Sequence, residues 1–175
     1  MLALIFAGMY NGLVRQRNNV DNSWSQIDVQ LKRRHDLIPN LVETVKGYAS
    51  HERETLDAVI KARNTAISAQ GTPAQAQAEG ALSGALGRLI ALSEAYPDLK
   101  ANTNFLELQQ QLSGIEDKIA AARRFFNNAA AEYNATREAI PGVFYASSMG
   151  FQPQEFFNLE EGERKAASTP PQVKF

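Results

Sequence analysis

The chain holds two histidines, His35 and His51, and no cysteine. Those residues limit the chemistry before any element is placed. Without cysteine there is no disulfide, thiolate metal site, cysteine nucleophile or lipid-anchoring cysteine. A di-iron carboxylate centre in a helical bundle needs a Glu-x-x-His on each of two helices. Lys32 and Tyr48 stand three residues before the histidines, so neither copy of that motif exists. His51-x-x-Glu54 does set two ligand types at helical spacing. A metal-dependent enzyme using His51, Glu52 and Glu54 is therefore one reading, although such pairs are common on exposed helices. No G-x-S-x-G turn and no G-x-x-x-x-G-K-[ST] loop is present. The residue types name no reaction, no catalytic residue, no cofactor and no metal.

Two charged blocks remain. Lys32, Arg33, Arg34 and His35 lie near Asp28, Asp36 and Glu43 in sequence, which reads as a salt-bridged helix surface. The alternative is contact with an anionic partner. Direct lipid contact is discounted, because the cluster sits about 33 Å along a helix from the apolar start. Surface potentials fade within a Debye length of about 8 Å. The second block is Asp36, Pro39, Asn40, Glu43 and Lys46. It is expected at the junction of the first two helices, with a partner surface beside it.

The elements that must position these residues follow from periodicity. Val20, Trp24, Ile27 and Leu31 keep helical spacing, so a first helix is expected from near residue 3 to residue 37. Pro39 removes a backbone donor and disfavours helical geometry at Ile38, so a break is expected there. A second helix then carries Leu41, Val45, Tyr48, Leu56, Val59 and Ile60 to near Gly71. Thr72 and Pro73 suit the cap and first turn of a third helix, ending near Tyr96. That helix contains Gly80, Gly84 and Gly87. Gly80 and Gly84 form a small-xxx-small pair, read as local close packing between helices. The fourth helix starts around Asn102 to Phe105. Its positions Phe105, Leu108, Leu112, Ile115, Ile119, Ala122, Phe126, Ala129 and Tyr133 form a sustained heptad seam. Pro141 and Gly142 end it. Long helices joined by short turns lie antiparallel, so an all-α, up-and-down four-helix bundle is expected over residues 10–142.

Both ends differ from this middle. Residues 1–9 (MLALIFAGM) are all apolar or Gly, followed by Tyr10, Arg15 and Arg17. A spanning helix needs about 20 apolar residues. The run is either an apolar helix end packed on protein or part of a membrane-anchor helix, with Tyr10 at the interface and the arginines beyond it. Residues 143–175 change character. Val143, Phe144, Tyr145, Phe151, Phe156 and Phe157 sit among Gly, Ser and Pro. They read as an irregular strap over the bundle or as a docking surface. Glu160, Glu161, Glu163 and Thr169-Pro170-Pro171 read as a solvated tail.

With 175 residues, the chain suits one ordinary domain. At 44% hydrophobic and 21% charged it is not a disordered polymer. A net charge of -1 argues against nucleic-acid binding.

The run LKRRHDLIPNLVETVKGY at 31–48 resembles the signature of the LemA family. YNGLV at 10–14, YPDLKANTNF at 96–105, EYN at 132–134, Pro141-Gly142 and MGFQPQEFF at 149–157 match it too. So does the tail, with its Glu-Glu-Gly run and terminal Val-Lys-Phe. The resemblance covers the chain from Tyr10. It implies a bacterial protein with one N-terminal transmembrane helix and a helical bundle, here starting partway through that helix. It also implies no catalytic residues. A magnetosome-associated branch of the family has a suggested membrane-shaping role. The expected function is a non-enzymatic, membrane-anchored scaffold or protein-interaction module with a membrane-associated protein partner. The alternative is a self-assembling membrane-remodelling module that uses the heptad seam between protomers. Arg15 and Arg17 lean towards a cytoplasmic bundle on a bacterial inner membrane.

Overall fold

The computed structural model describes residues 2–158, with side chains described from Leu4 onward. The chain forms α1 (Leu2–Lys46), α2 (Arg53–Ser68), α3 (Thr72–Leu92), α4 (Pro97–Lys100), α5 (Thr103–Glu138) and α6 (Gly142–Tyr145). A 3-10 turn, Ser93–Ala95, follows α3. No strand occurs among the described residues, so the fold is all-α. The expected acidic tail lies outside the described residues. The chain divides into two compact units. The first comprises Met1–Leu37 and Gln110–Phe156; the second comprises Ile38–Gln109 with Phe157.

The expected break at Pro39 does not occur, because α1 passes through it. A mid-helix proline costs about 3 kcal/mol through its missing N–H and ring clash. On both sides of it, Ile38, Leu41, Val42 and Val45 are buried at helical spacing. Each such burial contributes about 1.5–3 kcal/mol, so together they outweigh the proline. Pro39 itself is exposed, and water can solvate a carbonyl freed on that side. The first helix ends instead at Lys46; the Gly47 N–H then bonds the Glu43 carbonyl, and the Tyr48 and Ala49 N–H groups share the Val45 carbonyl in a turn. What was expected as one second helix from Pro39 to Gly71 is thus the end of α1, a turn, and α2.

In the first unit α1 and α5 run antiparallel. As numbers rise on α1 they fall on α5. Gln16 donates to Thr136 at 3.0 Å, the Trp24 and Phe126 rings meet edge-to-face at 5.3 Å, and Arg34 pairs with Glu116. Leu13, Val20, Ile27 and Leu31 supply the buried side of α1. Along α5 the expected seam is interior. Leu112, Ile119, Phe126, Ala129 and Tyr133 are buried in this unit, while Ile115 and Ala122 are half-buried. The seam therefore builds the protein's own core.

In the second unit, Leu41, Val45, Leu56, Val59, Leu82, Leu86 and Leu89 are buried with Phe105 and Leu108. Tyr48 and Ile60, expected on the same stripe, are exposed. Asn102 caps α5: its Oδ1 accepts the Phe105 N–H at 2.9 Å. The cap of α3 is Gly71, at φ 85°, rather than Thr72, which is the first helical residue. A positive φ is open to glycine and strained for the threonine beside it. The close packing expected at the Gly80–Gly84 pair is absent at Gly84, where a Cβ would meet nothing within 4 Å.

Candidate interaction surface

Residues 151–154 are docked, and Tyr133, Asn134 and Arg137 of α5 hold them. Tyr133 Oη donates to the Gln152 carbonyl at 2.9 Å. The Asn134 side chain forms a reciprocal pair with Gln154, donating Nδ2 to its carbonyl at 2.8 Å and accepting its N–H at 2.9 Å. Arg137 Nε donates to the Phe151 carbonyl at 3.1 Å. Irregular backbone has no ladder of its own, so side chains must satisfy it when it is buried. Phe151 is buried, touches the Tyr10 ring at 5.4 Å, and lies under the Arg17 guanidinium at 5.3 Å. Burial raises the Tyr133 phenol above its ordinary value of 10.0, against the pull of Arg137 and Arg17. The strap is not wholly irregular, since Val143–Tyr145 belong to the short helix α6. Four residues suffice for one turn once Pro141 and Gly142 have ended α5.

The block expected at a helix junction lies within α1. Asp36, Pro39, Asn40, Glu43 and Lys46 are all exposed, and the turn to α2 comes only after Lys46. Asp36 falls in the first unit and the other four in the second. Lys46 Nζ lies 3.8 Å from Glu43 Oε1, a solvated pair. Beside them a polar group joins α1 to the start of α5. Asn104 Nδ2 donates to Thr44 Oγ1 at 3.1 Å, Asn102 Nδ2 donates to Tyr48 Oη at 2.9 Å, and Thr44 Oγ1 donates to the Asn40 carbonyl at 2.8 Å. The side chains of Asn40 and Glu43 are thus at the surface, next to a fixed backbone.

The basic cluster splits. Lys32 and Arg33 are exposed as expected, but Arg34 and His35 are buried. Arg34, 1% exposed, reaches Glu116 of α5. Periodicity held the signal: Arg34 follows Ile27 and Leu31 on the buried stripe, seven and three residues on.

His51 lies in the turn before α2, not on a helix. Glu52 is the cap position, and its Oε1 accepts a hydrogen bond from Tyr96 Oη at 3.0 Å. That bond to a carboxylate is the main reason the Tyr96 phenol is raised. Among the described residues no group of three or more His, Cys, Asp or Glu could hold a metal ion. In the first unit a groove of about 540 Å³ is lined by Ser25, Val29, Ala122 and Phe125, with Lys118 its one charged residue. Ser25 there donates to the Asp21 carbonyl at 3.1 Å.

Sequence reasoning singled out residues 1–9 and the aromatics from Val143 onward separately, but not that they meet at one end of the first unit. Leu4, Ile5 and Phe6 of α1 are exposed, as are Ile140, Val143 and Phe144 around the α5–α6 turn. The Phe6 and Tyr145 rings meet edge-to-face at 5.5 Å, joining the two groups. Among the described residues no helix is long and apolar enough to cross a membrane.

Fold and surface together define a helical protein with polar and apolar exposed faces. Comparison with known proteins gives its family. The LemA family model matches residues 23–175, and the chain belongs to that family. It is similar to the magnetosome protein MamQ of Magnetospirillum gryphiswaldense, at 28% identity over 92% of this chain and 67% of the relative. It is also similar to protein LemA of Metamycoplasma hominis, at 29% identity over 94% of this chain and 76% of the relative. MamQ 2 of Paramagnetospirillum magneticum is 27% identical over 92% and 67%.

Proposed function

We propose that this chain is a non-enzymatic, membrane-anchored scaffold that holds a membrane-associated protein partner. One observation carries the reading. The apolar run at the start of α1 is exposed at Leu4, Ile5 and Phe6, and the same unbroken helix supplies Leu13, Val20, Ile27 and Leu31 to a core. An anchor built this way is rigidly continuous with the folded unit rather than tethered by a linker. The similarity to magnetosome proteins supports a membrane setting. Tyr10, then Arg15 and Arg17, is the order of a membrane interface and favours a cytoplasmic fold. The all-helical content of residues 10–142 supports reading them as an up-and-down four-helix bundle. The exposed face around Asn40, Glu43 and Lys46 is its partner surface, and Asp36 extends the same polar character on α1. The self-assembly reading loses its seam, because those residues are interior.

The test is a pull-down of the full chain from gently solubilised native membranes, with an anchor-only control. A reproducible partner that needs the folded region supports the scaffold. Membrane fractionation of Leu4→Asp/Ile5→Asp tests the anchor: the variant should move to the soluble fraction. Retention in the pellet would sink the anchoring reading.

A further inference from the structure

The exposed apolar end of the first unit has two parts, and only one belongs to the apolar run of α1. The other is the turn from α5 into α6. Leu4 is 78% exposed, Ile140 79% and Phe144 77%, with Val143 at 51%. Soluble surfaces scatter large apolar residues singly; a contiguous group marks a contact. The two parts lie side by side, because Phe6 packs on Tyr145 of α6.

Charge separates the possible occupants. No Asp, Glu, Lys or Arg occurs in residues 1–14 or in residues 139–149. Two neighbouring segments therefore carry no charged side chain. Directly behind them come aromatic rings, Tyr10 against Phe151. Then comes a layer in which cations outnumber the acid: Arg17 over Phe151, Arg137 bonded to the Phe151 carbonyl and paired with Glu138, and Arg15 on α1. A protein interface carries a polar rim with both signs around its apolar centre. Apolar tip, aromatic belt and basic layer in that order match a bilayer's acyl region, interface and anionic headgroups.

We propose that the Ile140–Phe144 turn is a second lipid-contacting element, seated in the headgroup and acyl boundary beside the start of α1. It rests on the anchoring reading above and adds to it. Two contacts at one end of a rigid unit fix its tilt and rotation on the bilayer, which a lone helix does not. α6 is too short to span, so it acts as an interfacial wedge in one leaflet.

The cysteine-free chain allows a direct test. Phe144→Cys, Leu4→Cys and Asp28→Cys are each made in the full chain and labelled with an environment-sensitive fluorophore. Each is read with and without vesicles of phosphatidylethanolamine and phosphatidylglycerol. The expected result is a blue shift and brominated-lipid quenching at positions 144 and 4, with position 28 unchanged. In unlabelled protein, Val143→Ser/Phe144→Ser should weaken vesicle binding at least several-fold while leaving the circular dichroism melt unchanged. A lipid response at 4 without one at 144 overturns the second contact and leaves the anchor standing. No lipid response at either overturns both. A blue shift at 144 that grows with protein concentration in the absence of lipid overturns it in favour of a second copy of the chain.

Discussion

At the scale of single residues, the buried charge and the buried phenol decide most. Arg34 is interior and paired with Glu116 on the opposite helix, whereas its neighbours Lys32 and Arg33 face water. Glu116 is 38% exposed, so losing Arg34 costs less than the about 3–5 kcal/mol of a fully buried pair, though more than losing a solvated charge. Exposed charges away from special features change stability by about 0.5 kcal/mol or less. Arg34→Ala should therefore lower the urea midpoint sharply, while Lys32→Ala and Arg33→Ala barely move it. Three equal effects would refute the placement of Arg34. Tyr133 gives a pH prediction. Its folded value lies above 10.0, so the fold favours the protonated phenol that donates to Gln152. That contribution is full below pH 10 and is lost as pH rises through the raised folded value. Strap release, followed by hydrogen exchange at 151–154, should begin above pH 10. Tyr133→Phe, lacking the hydroxyl, should show faster exchange at neutral pH and no such alkaline step.

At the scale of elements, the glycines separate two kinds of constraint. Gly84 and Gly87 sit in α3 with open space where a Cβ would be. Glycine in a helix interior costs about 0.5–1 kcal/mol against alanine. Gly84→Ala and Gly87→Ala should each raise thermal stability by that order. Gly142 is the reverse case: a Cβ there would press on the Thr136 and Arg137 carbonyl oxygens. Gly142→Ala should destabilise by about 1–3 kcal/mol through overpacking of the α5–α6 turn. Calorimetry on the three variants checks the signs together. The same elements show what the sequence could and could not say. The starts of α3 and α5 and the end of α5 were legible to within a few residues, because Pro73, Asn102 and Pro141-Gly142 act locally through missing donors and caps. Pro39 misled because its local penalty is overruled by burial of Ile38, Leu41, Val42 and Val45, which only packing reveals. Arg34 was misread although its spacing from Ile27 and Leu31 put it on the buried stripe, because its charge and its place in a basic run were read as surface. The strap's aromatics were legible as a group, but the hydrogen bonds from Tyr133, Asn134 and Arg137 depend on a register that no local pattern carries.

At the scale of the whole molecule, the question is whether chains assemble through their helices. A heptad seam as regular as that of α5 is what a coiled-coil dimer would need. Here Phe105, Leu108, Leu112, Ile119, Phe126 and Tyr133 are all already buried within one chain. Opening them to a second copy would expose six large side chains. At about 1.5–3 kcal/mol each, the loss of about 9–18 kcal/mol would be comparable with the whole stability of an ordinary domain. Exposed apolar side chains remain elsewhere, and the contiguous group at the end of the first unit is one that detergent can cover. Sedimentation velocity of the full chain in a mild detergent should therefore report a single 19.3 kDa chain with its bound detergent. Its coefficient should not change over a wide protein concentration range. Removing detergent should produce association that Leu4→Ser/Phe144→Ser suppresses. A concentration-dependent dimer that persists in detergent and survives that double substitution would mean the helices themselves exchange partners, and the interior seam would have to open after all.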